Sequence, residues 1–194
     1  MALKTHLHKE NILDIAVKLF SEKGYSATSI RDIARALHIS NATLYYYFRD
    51  KEHLLFSVIE SIAAKVLSTL IEARHESDNP LEGLRRMMFR HAQLMEEDGN
   101  RAKIFVEEEH NVISAKYRKI VQYHHRRIYD IYVEQLRELQ EAGTIIDVSP
   151  TIIAFAILGT TNWCYRWYRK DRPLTIDHIA EILSEILIRG IRKP

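Results

Sequence analysis

Apolar residues recur along this chain at intervals of three and four, the spacing of one helix face turned toward a core. Ile12, Ile15, Ala16, Leu19 and Phe20 form the first such run, and Gly24 reads as its C-terminal cap. Ile30, Ile33, Ala34 and Leu37 form the second, opened by Thr28 and Ser29, either of which can accept a capping N–H bond. His38-Ile39-Ser40 breaks that run. Ser40 or Asn41 then caps a very short helix over 42–48, whose Leu44 and Phe48 share one side. The pattern predicts one small core of Ile15, Leu19, Phe20, Ile30, Ile33, Leu37, Leu44 and Phe48, with Tyr25 packing the intervening turn.

A much longer stripe follows. Asp50 caps a helix over 51–75 in which Leu54, Leu55, Val58, Ile59, Ile62, Ala63, Val66, Leu67, Leu70 and Ile71 are in register. That exceeds what the small core needs, so the helix is expected to run on as a rigid connector into a second domain. Ser77-Asp78-Asn79-Pro80 is the first strong break. A helix over 80–96 turns Leu84, Met87, Met88, His91 and Leu94 or Met95 inward. One over 101–111 groups Ile104, Phe105, Glu108 and Val112. One over 115–142 aligns Tyr117, Ile120, Val121, His124, Ile128, Ile131, Tyr132, Gln135, Leu136 and Leu139, and Gly143 closes it. Ser149-Pro150 gives the next helix a cap and a first-turn proline, and its segment IIAFAILG is apolar nearly all round. Thr175 or Asp177 starts the last helix, with Ile176, Ile179, Ile182, Leu183, Ile186, Leu187 and Ile191. The expectation is an all-α chain of nine helices, divided into 1–53 and 54–194.

Composition narrows the class. With 194 residues and 46% hydrophobic content the chain can bury a substantial core, and six glycines and four prolines suit long helices. The single cysteine, Cys164, excludes an internal disulfide. No signal peptide and no 18-residue apolar run able to span a membrane are read from the sequence, so the expected location is cytoplasmic. Net charge is only +2, and residues 1–53 are themselves nearly balanced, so any case for nucleic acid rests on placement. Placement supplies one. The short helix leaves Asn41, Thr43, Tyr45, Tyr46 and Tyr47 outside its apolar side, and three adjacent tyrosines cannot all face inward. Hydroxyls and amides on the second of two short helices fit a helix-turn-helix, because phosphates accept from Ser, Thr, Tyr and Lys while Arg and Asn read base edges. The polar segment 1–9, with Lys4, His6, His8 and Lys9, reads as an arm able to reach phosphates or as an untethered terminus.

The segment ILDIAVKLFSEKGYSATSIRDIARALHISNATLYYYFRDKEHLL, from Ile12 to Leu55, resembles the DNA-binding domain of TetR-type (tetracycline-repressor-like) transcriptional regulators. The likeness lies in its LF-x-x-x-GY-x-x-T-S-I turn, its I-A-x-x-L core, T-L-Y-Y-Y-F and the following K-E-x-L-L. It implies a nine-helix regulator with Arg31 and Asn41 reading bases. Phosphate contacts would come from Thr28, Ser29, Thr43, Tyr45, Tyr47 and Lys51, with Tyr46 and Ser40 as further candidates. It also implies a homodimer in which the last two helices pair about a two-fold axis, and hence an inverted-repeat operator in double-stranded DNA.

The effector is read from TTNWCYRWYRKDRPL, residues 160–174. Trp163 and Trp167 share a helix face, with Arg166 and Arg169 beside them. This is either a well-packed helix end with cations against the dipole, or a mouth gripping phosphate. N-W-x-x-x-W-Y-R and P-L-T resemble TetR-type regulators of fatty-acid and steroid-ring catabolism, whose effectors are acyl-CoA thioesters. The acyl group would enter an interior lined by Met87, Met88, His91, Phe105, Glu108, His110, Tyr117, His124 and Trp163, and a tilt of the connector would carry the signal. One alternative is a TetR-type regulator of drug efflux, with the tryptophans caging an aromatic or cationic compound. A metal-binding helical-bundle enzyme is more remote. Glu72-x-x-His75 and Glu107-x-x-His110 have its spacing, but the first pair lies on the polar face, and two inward pairs are required. No nucleophile–base pair and no phosphate-cradling glycine loop occur. No catalytic residue, metal or cofactor is expected, and no membrane partner.

Overall fold

The computed structural model describes residues 9–97, 99–108, 111, 114–169, 171 and 173–193. Among them are nine helices: α1 (Lys9–Lys23), α2 (Ile30–Ala36), α3 (Asn41–Tyr47), α4 (Lys51–His75), α5 (Pro80–Glu97), α6 (Gly99–Glu107), α7 (Ala115–Glu141), α8 (Pro150–Trp167) and α9 (Ile176–Ile191). Of the residues singled out above, residues 1–8 of the arm and His110, Val112, Lys170 and Arg172 lie outside the described set, as do the side chains of Met95 and Tyr165.

Local chemistry accounts for most boundaries. Gly24 closes α1 at φ +83°, a region costly for a side chain with a Cβ. Ser29, not Thr28, caps α2 through a reciprocal box: its Oγ accepts from Asp32 N at 3.1 Å, and Asp32 Oδ2 accepts from Ser29 N at 3.0 Å. His38 turns α2 into α3 at φ +56°. Ser40 Oγ accepts from Thr43 N at 3.0 Å, so α3 starts one residue before the expected position and Asn41 occupies its first turn. Asp50 caps α4 through His53 N at 2.7 Å, and Thr175 caps α9 through His178 N at 3.2 Å. Ser149 departs from expectation. Its side chain makes no capping bond, and the fixed φ of Pro150 is what preorganises the start of α8. α6 stops at Glu107, short of the expected 111.

Phe20, Ile33, Leu44 and Phe48 are fully buried, and Ile15, Leu19, Ile30 and Leu37 pack partly buried beside them. Ile12, Leu13, Ala16 and Val17 of α1 join them, and through Leu54, Leu55, Val58 and Ile59 of α4 the same cluster continues into α5, α7 and α8. α4 therefore belongs to both halves, as its long stripe implies, although Ile71 at its far end is exposed rather than packed. One expectation fails here: α4 does contain an 18-residue window apolar enough to cross a membrane, but more than half of that window is buried within the fold. α4 and α5 approach so closely that a Cβ on Gly83 would lie 2.9 Å from the Arg74 carbonyl oxygen. Beyond α7 an isolated antiparallel bridge joins Ile145 to Arg192, with Ile146 N donating to Ile191 O at 2.7 Å.

α8 and α9 keep one face uncovered. Ile153, Ala154, Ile157 and Cys164 of α8 point inward, whereas Ile152, Phe155, Trp163 and Trp167 are exposed. On α9, Ile176, Ile179, Ile188 and Ile191 are buried and Ile182 and Ile186 are not.

Candidate functional sites

The capped ends of α2 and α3 set a polar face. Arg31, second residue of α2, and Asn41, first of α3, are both exposed. Ser29 and Ser40 are exposed beside them, and the Ser40 and Thr43 hydroxyls lie 2.8 Å apart. Two hydrogen bonds from Ser29 hold the Asp32 carboxyl below its usual pKa, so the cap stays charged. The tyrosines divide. Tyr45 and Tyr46 project into solvent, Tyr46 with 84% of its surface exposed, while Tyr47 packs partly against the core and meets Tyr46 edge-on at 5.2 Å.

Two expected phosphate ligands are not on this face. Thr28 is 1% exposed, and its hydroxyl is committed to the carbonyls of Gly24 at 2.9 Å and Leu19 at 3.2 Å. Lys51 reaches inward. Its Nζ donates to Tyr25 O and Thr28 O at 2.9 Å each and to Ser26 O at 3.4 Å, and it lies 4.3 Å from the Tyr25 ring centroid. Partial burial lowers the Lys51 pKa, against an opposing pull from the Glu108 charge.

Two expected effector residues also belong elsewhere. Glu108 Oε1 accepts from Tyr25 N at 3.4 Å and Oε2 from Asn111 Nδ2 at 2.5 Å. Tyr117 stacks on Phe56 at 4.4 Å and on His53 at 5.8 Å, with the Arg49 guanidinium 5.9 Å from its ring. Both seat the helix-turn-helix segment on the rest of the chain, where Lys103 Nζ donates to Ser21 O at 2.9 Å and Ser114 N to Glu52 Oε1 at 2.5 Å. This junction was not read from the sequence, because its partners are far apart along the chain and follow no periodic pattern.

The remaining effector candidates fall into two groups. Met87, Met88, His91 and Phe105 are buried in the body. There Tyr132 Oη donates to Met87 O at 3.4 Å and sits 3.0 Å from His91 Nδ1, an arrangement satisfied if Nδ1 carries the imidazole proton. Burial pushes the His91 pKa down to about 4 and raises that of Tyr132. Phe105 stacks on His125 at 4.5 Å, and half-buried His124 leaves its Nε2 enclosed without a hydrogen-bond partner. The second group is the end of α8. Trp163 and Trp167 are 53% and 47% exposed, so neither lines the interior. Arg166 lies 4.9 Å over the Trp163 ring and 3.4 Å from Glu107 Oε1, and Arg169 donates to Tyr168 O at 2.8 Å. Trp163 therefore does not join Met87, Met88, His91 and Phe105 in the interior, as the expected cavity required. Among the described residues no three His, Cys, Asp or Glu groups converge as a metal site.

Residues 12–58 match the family described as bacterial regulatory proteins, tetR family, and residues 77–191 match the tetracyclin repressor-like C-terminal domain. Among curated relatives, the HTH-type transcriptional repressor KstR2 of Mycobacterium tuberculosis is 23% identical over 194 residues, covering 100% of this chain and 97% of that protein. Among solved structures, PfmR from Thermus thermophilus, a TetR family transcriptional regulator, is 31% identical with a TM-score of 0.85, covering 94% of this chain and 99% of that one. AibR in complex with isovaleryl coenzyme A and operator DNA is 28% identical with a TM-score of 0.84, covering 92% and 97%.

Proposed function

The chain belongs to the TetR family of bacterial regulatory proteins, DNA-binding transcriptional regulators rather than enzymes, and from that premise we propose that it is a repressor released from an inverted-repeat operator by an acyl-CoA thioester. Residues 1–53 bind the operator and residues 54–194 bind the effector and dimerise. Arg31 and Asn41 read bases. Ser29, Ser40, Thr43, Tyr45, Tyr46 and the edge of Tyr47 contact phosphates. The uncovered faces of α8 and α9, which carry Phe155 and Ile186, pair with those of a second copy.

The observation that carries the effector class is the likeness to AibR, captured with both isovaleryl-CoA and its operator. The chemistry of the α8 end supports it. Arg166 and Arg169 offer donors suited to the phosphates of a CoA moiety, and the exposed indoles beside them offer a face for its adenine. Trp163 already carries the chain's own guanidinium over its ring, which disfavours the alternative of a cage for cationic drugs.

Isothermal titration of isovaleryl-CoA against isovalerate, with operator binding followed by fluorescence anisotropy, tests the reading. The thioester is expected to bind and to weaken operator affinity by the difference in its affinity for the two states, about 1–3 kcal/mol. Arg166→Ala should weaken the thioester far more than the free acid while leaving operator affinity intact. Equal loss for acid and thioester would remove phosphate recognition from the α8 end, and no response to any acyl-CoA would overturn the effector class.

A further inference from the structure

α1, α4, α5 and α6 enclose a cleft of about 440 Å³, within the range that holds small organic ligands. Its floor is apolar: Leu13 of α1, Ile62 and Val66 of α4, Leu94 of α5 and Ala102 of α6. Its rim is charged, with Glu10 and Asp14 from α1 facing Lys65 of α4 and Arg101 of α6. The two signs differ in depth. The Arg101 side chain is 27% exposed, and its partner in an ion pair, Asp14, is 64% exposed. Arg101 Nη1 also reaches Ser61 Oγ at 3.4 Å, whose own hydroxyl proton goes to Val58 O at 2.7 Å. The more enclosed charge of this pair is therefore the cation, and Asp14, which pairs with it, is a surface side chain able to swing back into water.

We propose that this cleft binds a medium-chain carboxylic acid, its alkyl chain on the apolar floor and its carboxylate replacing Asp14 on Arg101, with Lys65 as a second cation. Replacing one carboxylate by another keeps the guanidinium paired, so burial of the chain is gained without leaving a charge exposed to a low dielectric. A neutral head group would have to displace Asp14 without replacing its charge. A cationic one would sit against Arg101. The Asp14–Arg101 pair also ties α1, first helix of the DNA-binding half, to α6 of the body, so a ligand that takes over Arg101 unties the two halves at that point. The cleft takes no lining residue from α8, and this inference stands whether or not an acyl-CoA binds at the α8 end.

Isothermal titration of the full chain with decanoate, decanol and decyltrimethylammonium tests it. Decanoate should bind at least about tenfold more tightly than either comparator, the margin expected of a charge-assisted contact. Asp14→Asn, which removes a competing carboxylate, should tighten decanoate several-fold, a gain no merely destabilising substitution produces. Arg101→Gln should abolish the preference for decanoate, and Arg101→Lys should keep it. Equal binding of decanol, preference for the ammonium, or no gain in Asp14→Asn would each overturn the proposal. If Arg101→Gln fails to fold, the comparison of head groups and the Asp14→Asn gain decide it alone.

Discussion

At the scale of single residues, Lys51 shows how a cation beside a DNA-reading face can serve the fold instead. An ammonium has three donors, and here all three are directed at carbonyls of the turn between α1 and α2. Lys51→Met is therefore expected to lower stability by about 1–2 kcal/mol, the scale of charged hydrogen bonds that are partly open to solvent. The salt dependence of operator binding should stay as in the parent chain. Urea melts and operator titrations at several salt concentrations check both, and a slope flattened by about one unit would restore a phosphate role. His91 makes a different prediction, set by pH. Its folded pKa of about 4 lies below the ordinary value of 6.5, so the folded state refuses a proton that the unfolded chain accepts. Its contribution is complete above pH 6.5 and is lost as pH falls toward 4, at up to about 1.4 kcal/mol per pH unit. Denaturant midpoints measured between pH 7.5 and 4.5 should fall more steeply for the parent than for His91→Gln.

At the scale of elements, the turn joining α2 to α3 depends on His38 at φ +56°, where a branched side chain is strained. His38→Gly should be neutral or mildly stabilising, whereas His38→Val should cost about 1–2 kcal/mol and weaken operator binding by misplacing α3. Thermal melts of the two variants decide this. The elements were legible in the sequence because caps and periodicity are local: Ser29, Ser40, Asp50 and Thr175 each sit within three residues of the N–H they accept. What a side chain does across elements was not legible. Thr28 and Ser29 are adjacent and chemically alike, yet one is buried against α1 and the other caps α2. Glu108 shares a helical register with core residues, but its partner Tyr25 is 83 positions away. Trp163, expected to line the interior, is exposed together with Trp167, because hydrophobicity does not say whether the burying partner is the same chain.

For the molecule as a whole, the exposed stripe Ile152, Phe155 and Trp163 on α8, flanked by Ile182 and Ile186 on α9, implies a partner surface. Phe155→Asp should give a folded monomer with intact helicity and much weaker operator binding, since one half-site alone remains engaged. Analytical ultracentrifugation with circular dichroism checks this, and a Phe155→Asp protein that stays dimeric would move the interface elsewhere. The close approach at Gly83 has a consequence for movement. With the Arg74 carbonyl 2.9 Å from where a Cβ would stand, the two backbones have almost no room to slide at the far end of α4. A tilt of α4 about that contact would make the helix a lever with its fulcrum there. At ~1.5 Å per residue its 25 residues make an arm of about 37 Å. A rotation of only about 5° at the fulcrum would therefore sweep the Lys51 end by about 3 Å, close to the rise of one base pair along B-form DNA.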